Sequence, residues 1–321
     1  EIRTKSGQKR QPHMNISIKT KWPVSCCFIR LMRPLRHLLP NTSWFVTSRC
    51  FQAQYLLRPD EQMTNRLGYW LGCALEKYPG IKLYAVVQMS NHFHLVLKDS
   101  YGELASFMGY FEANLAKAAN HLRKRTGSVF HRRYSAEAIL DEAAFDDRLL
   151  YTVMNPVRAG LVRTHEDWPG VLLWPKVAPS ERIFEWFDEV KYVRESKHRF
   201  LCPKEEYVRK SKIPLAPMEN EDVLRRAIKE DEERVRIARK GFVVLGVRKV
   251  LRQDPFSTPN SPKKSPRPKC HTTCGIIRRA FREQMRALRD AYCEVSSAFR
   301  RGDLRAQFPC YTFRPFSWVP I

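Results

Sequence analysis

The chain has 321 residues, 43% of them apolar and 12% aromatic, enough for one large or two modest domains with real cores, which excludes a disordered chain. Lys and Arg outnumber Asp and Glu by 57 to 33, a formal net charge of +24, so the expected partner is a polyanion, with nucleic acid first. No stretch reaches the roughly 18 apolar residues of a spanning helix, so no membrane partner is expected, and nine irregularly spaced cysteines suit free thiols in a reducing compartment.

Residues 1–31 are polar and basic without a periodic pattern and read as a flexible N-terminal arm. Lys19 to Leu31 mimics a secretory signal, but Arg30 interrupts the apolar run and no small-residue cleavage site follows. Ser43 to Cys50 is the first strand, with Trp44, Val46 and Ser48 on one side and Phe45, Thr47 and Arg49 on the other. A helix follows from Pro59 or Asp60 to Tyr78, carrying Leu67, Leu71, Ala74, Leu75 and Tyr78 at helical spacing and stopped by Pro79 and Gly80.

Lys82 to Gln88 and His92 to Lys98 are two strands joined only by the turn Met89 to Asn91, so they form a hairpin. In its second arm the period of two points His92 and His94 to one face and Phe93 to the other. Two imidazoles on one face make a metal-binding geometry, although imidazole also serves as an ordinary hydrogen-bonding group.

Glu103 to Lys124 is a second helix. Leu104, Phe107, Met108, Phe111, Leu115, Ala118 and Leu122 form its buried stripe, and Lys117, Arg123, Lys124 and Arg125 give it a basic side expected to contact nucleic acid. A strand from Ser128 to Ala136 then carries Arg132 and Arg133 toward the same neighbourhood, where they would hold nucleic-acid phosphates or serve as plain surface charge. Asp141 to Met154 is a helix on which Tyr151 and Asn155, four apart, project together, with Pro156 ending it directly afterwards. Strand, helix, strand, strand, helix, strand, helix suggests an α+β fold, an antiparallel sheet with packed helices.

After Trp174, prolines punctuate shorter segments, and residues 175–321 read as a mainly helical, basic C-terminal region. Glu221 to Lys240 is a charged helix, solvated or partner-facing. A Pro-, Ser- and Lys-rich loop from Asp254 to Lys269 precedes a last helix, Cys274 to Arg301, whose Arg278, Arg279, Arg282, Arg286 and Arg289 could grip phosphates or form a solvated face. Cys270, His271 and Cys274 lack the second pair that a zinc site needs.

Three ordered segments carry a family resemblance: Gln88-Met89-Ser90-Asn91-His92-Phe93-His94-Leu95, Arg125 to Tyr134, and Tyr151-Thr152-Val153-Met154-Asn155-Pro156 onward to Val162. Together they resemble the single-tyrosine HUH transposases, in particular the REP-associated tyrosine transposases, over about Met32 to Trp174. The resemblance implies a ferredoxin-like HUH domain over residues 32–174. It implies His92, His94 and Asn155 as ligands of a divalent metal, Mg²⁺ or Mn²⁺, and Tyr151 as the nucleophile, with Tyr134 a weaker alternative. The implied activity is metal-dependent cleavage and strand transfer of single-stranded or hairpin DNA through a covalent phosphotyrosine, in the bacterial cytoplasm in association with the nucleoid. Monomer and homodimer both stay open. The rival reading is a domesticated sequence-specific DNA-binding protein in which cleavage is not required.

Overall fold

The structure is a computed structural model that describes Leu35 and residues 39–176, 180–198, 203–241, 243–259 and 268–313. The expected N-terminal arm and the middle of the loop expected at Asp254 to Lys269 lie outside the described residues.

The alternating first strand forms as β1 (Thr42–Arg49). Asp60 accepts the Met63 N–H at 3.0 Å and so caps α1 (Glu61–Lys77), satisfying one of the donors that a helix start leaves open. β2 (Ile81–Gln88) and β3 (His92–Asp99) pair as the expected antiparallel hairpin, with a register shift between Leu83 and Ala85. At the end of β3 the Asp99 carboxylate accepts the N–H groups of Tyr101, Gly102, Glu103 and Leu104, which opens α2 (Leu104–Leu122). β4 (Ser135–Ile139) returns along β1, and Asp141 then caps α3 (Glu142–Arg158) through the Ala144 N–H.

The sheet has the order β5-β2-β3-β1-β4-β8, with β5 (Leu172–Leu173) and β8 (Cys270–His271) as two-residue edges. Its pairings are antiparallel except that of β4 with β8. The order β2-β3-β1-β4, with α1 and α2 as crossovers, is a split βαβ pattern within an α+β fold. Period two sorts the side chains into two layers. Trp44, Val46, Phe93, Leu95 and Leu97 pack on α1 and α2, whereas Phe45, Val87 and Val96 pack on Leu149, Val153 and Val157 of α3. Each such fully buried side chain contributes about 1.5–3 kcal/mol relative to exposure.

Two local expectations are corrected. The strand expected over Ser128 to Ala136 forms only from Ser135. β1 gives way to a 3-10 turn at Phe51–Ala53, so its partner meets it there through one bridge, Cys50 to Phe130, and Arg132 and Arg133 fall in a bend between bridge and ladder. Nor does Pro156 end the tyrosine helix, which continues to Arg158 with the Ala159 N–H bonded to the Asn155 carbonyl at 2.9 Å. An internal proline costs about 3 kcal/mol. Burial of Val153, Pro156 and Val157 in the α3 layer offsets it.

The region after Trp174 is not mainly helical in its first part, and its packing runs across the expected boundary. β6 (Ser180–Phe187) and β7 (Val208–Leu215) form an antiparallel hairpin that brackets α4 (Glu189–Ser196) and lies on α1. Two glycines one turn apart permit the approach. A Cβ on Gly68 would sit 2.2 Å from Phe184 Cγ, and one on Gly72 would sit 2.6 Å from the Lys212 carbonyl oxygen. α5 (Glu221–Ala238), expected to be solvated or partner-facing, packs on α3 through Leu224 and Ile228, and its Asp231 pairs with Arg158 at 2.7 Å. α6 (Val247–Leu251) adds Val250 to the same layer, and β8 leads into α7 (Gly275–Arg300).

Candidate active site

The hairpin turn that presents the histidines is tied down on several sides. Met89 N–H donates to the His92 carbonyl at 2.8 Å, Leu57 N–H to the Ser90 carbonyl at 2.9 Å, and Cys50 N–H to the Asn91 carbonyl at 2.8 Å. Buried Gln88 donates to the Leu57 carbonyl and accepts from Val171 N–H, while Trp168 Nε1 donates to the Gln88 carbonyl. The pair therefore leaves a braced turn, not a free loop.

On the α3 face of the sheet His92 and His94 lie 4.8 Å apart between ring centroids. His94 stacks on Phe45 at 4.9 Å and meets Tyr151 edge-on at 5.5 Å, and Tyr151 also stands edge-on to Phe45 at 5.6 Å. Burial pushes the His92 imidazole down to about 3, helped by the Arg49 charge. His94 is held well below its usual range by burial first, then by His92, Arg49 and Arg148. Both rings are thus neutral at pH 7, the form in which a ring nitrogen offers a lone pair.

The hydrogen bonds decide which nitrogen does so on His92. Asn91 Nδ2 donates to the Ala53 carbonyl at 3.1 Å, which turns Asn91 Oδ1 toward His92 Nδ1 at 2.6 Å. An amide oxygen only accepts, so Nδ1 carries the proton and Nε2 the lone pair. His94 Nδ1 lies 2.8 Å from Thr47 Oγ1, while its Nε2 is buried and has no partner among the described residues. An unpaired buried polar atom costs about 1–3 kcal/mol. A ligand at that nitrogen would remove the cost, and a second-layer partner on the other ring nitrogen is the usual companion of a metal-binding imidazole.

The facing stripe of α3 contains more than was expected. Arg148, Tyr151, Asn155 and Arg158 recur at helical spacing, and the two guanidinium carbons lie 5.7 and 5.9 Å from the Tyr151 ring centre. Tyr151 is half-buried and Asn155 is 8% exposed, and the Asn155 side chain has no hydrogen-bond partner among the described residues. Arg148 is shared between that ring, the buried Glu137 carboxylate at 3.2 Å and His271 Nδ1 at 3.0 Å. Arg49 is exposed, stands opposite His92 in the β1–β3 register, and has no acidic partner among the described residues. Arg49, Arg148 and Arg158 were missed as site residues, although strand alternation already put Arg49 on the Phe45 and Thr47 side and helical spacing put the other two beside Tyr151.

The expected basic contacts are not gathered here. α2 packs on the opposite face of the sheet, so exposed Lys117 and Lys124 do not join this cluster. Arg123 is a correction. Its side chain is 8% exposed, pairs with Asp60 at 2.7 Å and donates to the carbonyls of Leu56 and Arg58, so it holds the start of α1. Arg125 donates to the Ser128 carbonyl. Arg132 is exposed and lies beside His131, and the charge of Arg133 is felt at Lys269. Among the described residues no cluster of three His, Cys, Asp or Glu side chains could hold a metal, so a third ligand on this face would come from a carboxamide such as Asn155.

Fold and site define an α+β protein with a neutral histidine pair facing a tyrosine across one sheet face. No protein-family model matches the chain, and no curated protein matches it. Among solved structures it is similar to a REP-associated tyrosine transposase bound to a REP hairpin, with 20% identity and a TM-score of 0.37 over 44% of this chain and 81% of that one. It is also similar to the tRNA(His) guanylyltransferase of Saccharomyces cerevisiae, with 13% identity and a TM-score of 0.32 over 43% of this chain and 68% of that one. Both likenesses are distant and partial.

Proposed function

We propose that this chain is an HUH-type, metal-dependent single-stranded DNA endonuclease and strand transferase on a ferredoxin-like scaffold, acting through a covalent bond to Tyr151. The observation that carries the proposal is the buried Nε2 of His94, without a partner among the described residues, on a neutral ring set beside His92 and 5.5 Å from the Tyr151 ring. His92 and His94 would hold the metal through Nε2, with Asn155 as an oxygen ligand. Nitrogen and oxygen donors with open positions suit Mg²⁺ or Mn²⁺ in use, although two imidazoles alone favour zinc or copper. Bound there, the ion would polarise a non-bridging phosphate oxygen.

The chain's own residues supply the rest. Exposed Arg49, free of an acidic partner among the described residues, receives a phosphate on this face. Tyr151 Oη attacks phosphorus and the bond to the 3′-oxygen breaks, leaving a 3′-hydroxyl and a phosphotyrosine. The phosphodiester energy is kept, so another 3′-hydroxyl can reverse the step without a nucleotide cofactor. Arg148 and Arg158 flank the ring and balance the charge that gathers there.

The test is a denaturing gel of labelled hairpin-forming single strands with Mn²⁺ or Mg²⁺. Wild type should give a metal-dependent protein–DNA band that Tyr151→Phe lacks. Cleavage without a band would indicate water as nucleophile. Binding without cleavage across a broad set of hairpins would favour a DNA-binding protein that needs no cleavage.

A further inference from the structure

Beyond the histidine and tyrosine face, the described structure has a strongly cationic surface that starts at the edge of the same sheet. β8 lies parallel to β4, with Cys270 opposite Ala138 and His271 opposite Ile139. His271 reaches back to Arg148 at 3.0 Å and to Asp147 at 2.8 Å, while Asp141, the cap of α3, accepts from Thr272 and Thr273. These contacts anchor the start of α7 next to the tyrosine helix.

From that anchor α7 runs 26 residues, about 39 Å at 1.5 Å per residue. Arg278, Arg279, Arg282 and Arg286 are exposed and, with Gly275 and Glu283, line a shallow open groove of about 400 Å³. Arg278 donates to the Thr272 carbonyl at 2.6 Å and Arg289 pairs with Asp290 at 3.1 Å. Arg279, Arg282 and Arg286 have no acidic partner among the described residues, although Glu283 lies between them. The opposite side of the helix is half-covered by the chain itself, with Phe308 against both Tyr292 and Phe299. The groove side of α7 is set by charge, although Ile276 and Ile277 near its start are also exposed.

The charge continues toward the sheet. Arg278 and Arg282 act on Cys270, and the Lys269 ammonium is held below its usual range by burial first and then by the charge of Arg133.

We propose that the groove side of α7, with Lys269 at its foot, is a track for the sugar–phosphate backbone of a single nucleic-acid strand leading to the Tyr151 face. The proposal rests on the DNA-processing reading of that face and adds where the strand runs. Arg282 and Arg286 are one turn apart, about 6 Å, a spacing that lets successive guanidiniums take successive phosphates of an extended strand. Such contacts are independent of base sequence and dependent on salt.

The experiment uses the full chain and fluorescein-labelled oligothymidine, with affinity followed by anisotropy across a salt series. Replacing Arg279, Arg282 and Arg286 together by Gln should weaken binding by roughly one to two orders of magnitude at about 0.1 M salt. It should also flatten the slope of log K against log salt by about 2, at roughly 0.7 per lost phosphate contact. The triple Arg→Lys variant keeps the charge and should bind close to wild type. Unchanged affinity and slope in the Gln variant, with an unchanged circular dichroism spectrum, would overturn the track. So would a loss confined to anionic phosphatidylserine vesicles, which would make α7 a membrane-surface element. Adduct formation at Tyr151 is scored separately. If the track variant loses affinity while wild type forms no adduct on any strand, the track stands and the tyrosine reading falls.

Discussion

His94 and Tyr151 meet edge to face with ring centroids 5.5 Å apart, one from a sheet strand and the other from the helix that covers it. The contact sets a ring whose Nε2 has no partner among the described residues beside a phenol on a helical stripe that also carries two arginines and a carboxamide. A core packed only for stability would gain by filling that position with an apolar ring.

The neutral histidines make stability depend on pH. Both have folded values depressed below the ordinary ~6.5. Below that pH the unfolded chain binds protons that the native state refuses, so stability is full above about pH 6.5 and falls as pH drops toward about 3 for His92. Each histidine contributes at most about 1.4 kcal/mol per pH unit in that window. Urea denaturation at several pH values should show the wild type losing stability faster than a His92→Gln, His94→Gln double variant. Parallel curves would mean that the imidazoles are not buried neutral.

The glycines of α1 give a sign reversal. In an exposed helix Gly→Ala gains up to about 1 kcal/mol, and Gly109→Ala in α2 should do so because nothing lies within 4 Å of the added carbon. Gly68→Ala should instead cost about 1–3 kcal/mol, because its Cβ would meet Phe184, which is 2% exposed, at 2.2 Å. Thermal melts of the two variants should move in opposite directions. A shared upward shift would show that the β6–β7 hairpin does not rest on this face.

These glycines mark the limit of what could be read locally. The hairpin, its histidines and the facing tyrosine helix follow from period two and period 3.6, because each element buries one face. Gly68 and Gly72 signal a close neighbour but do not name it, so the β6–β7 hairpin is not readable from the segment that forms it. A two-residue edge such as β8 has no period at all, and its pairing depends on Asp141 and Arg148 far away in sequence. The tautomer of His92 is equally hidden, since it follows from the Ala53 carbonyl orienting Asn91. Charge patterns were the least informative: Arg123 reads as surface charge, yet it holds the start of α1 through Asp60.

Arg49 is expected to serve the chemistry rather than the fold. It is exposed and unpaired among the described residues, so Arg49→Gln should leave the melting temperature nearly unchanged. Adduct formation should slow about 100- to 1,000-fold, the range for losing one preorganised charge stabiliser. A single-turnover time course with labelled strand and Mn²⁺ measures this, and a wild-type rate would remove Arg49 from the site.

The most direct measurement is to trap the protein–DNA adduct, digest it with nuclease and trypsin, and locate the nucleotide by mass spectrometry. The expected carrier is the peptide Leu149–Arg158, with the added nucleotide mass on Tyr151. A nucleotide on Tyr134 or another residue, or cleaved strands with no modified peptide, would contradict the assignment of Tyr151 as the attacking group.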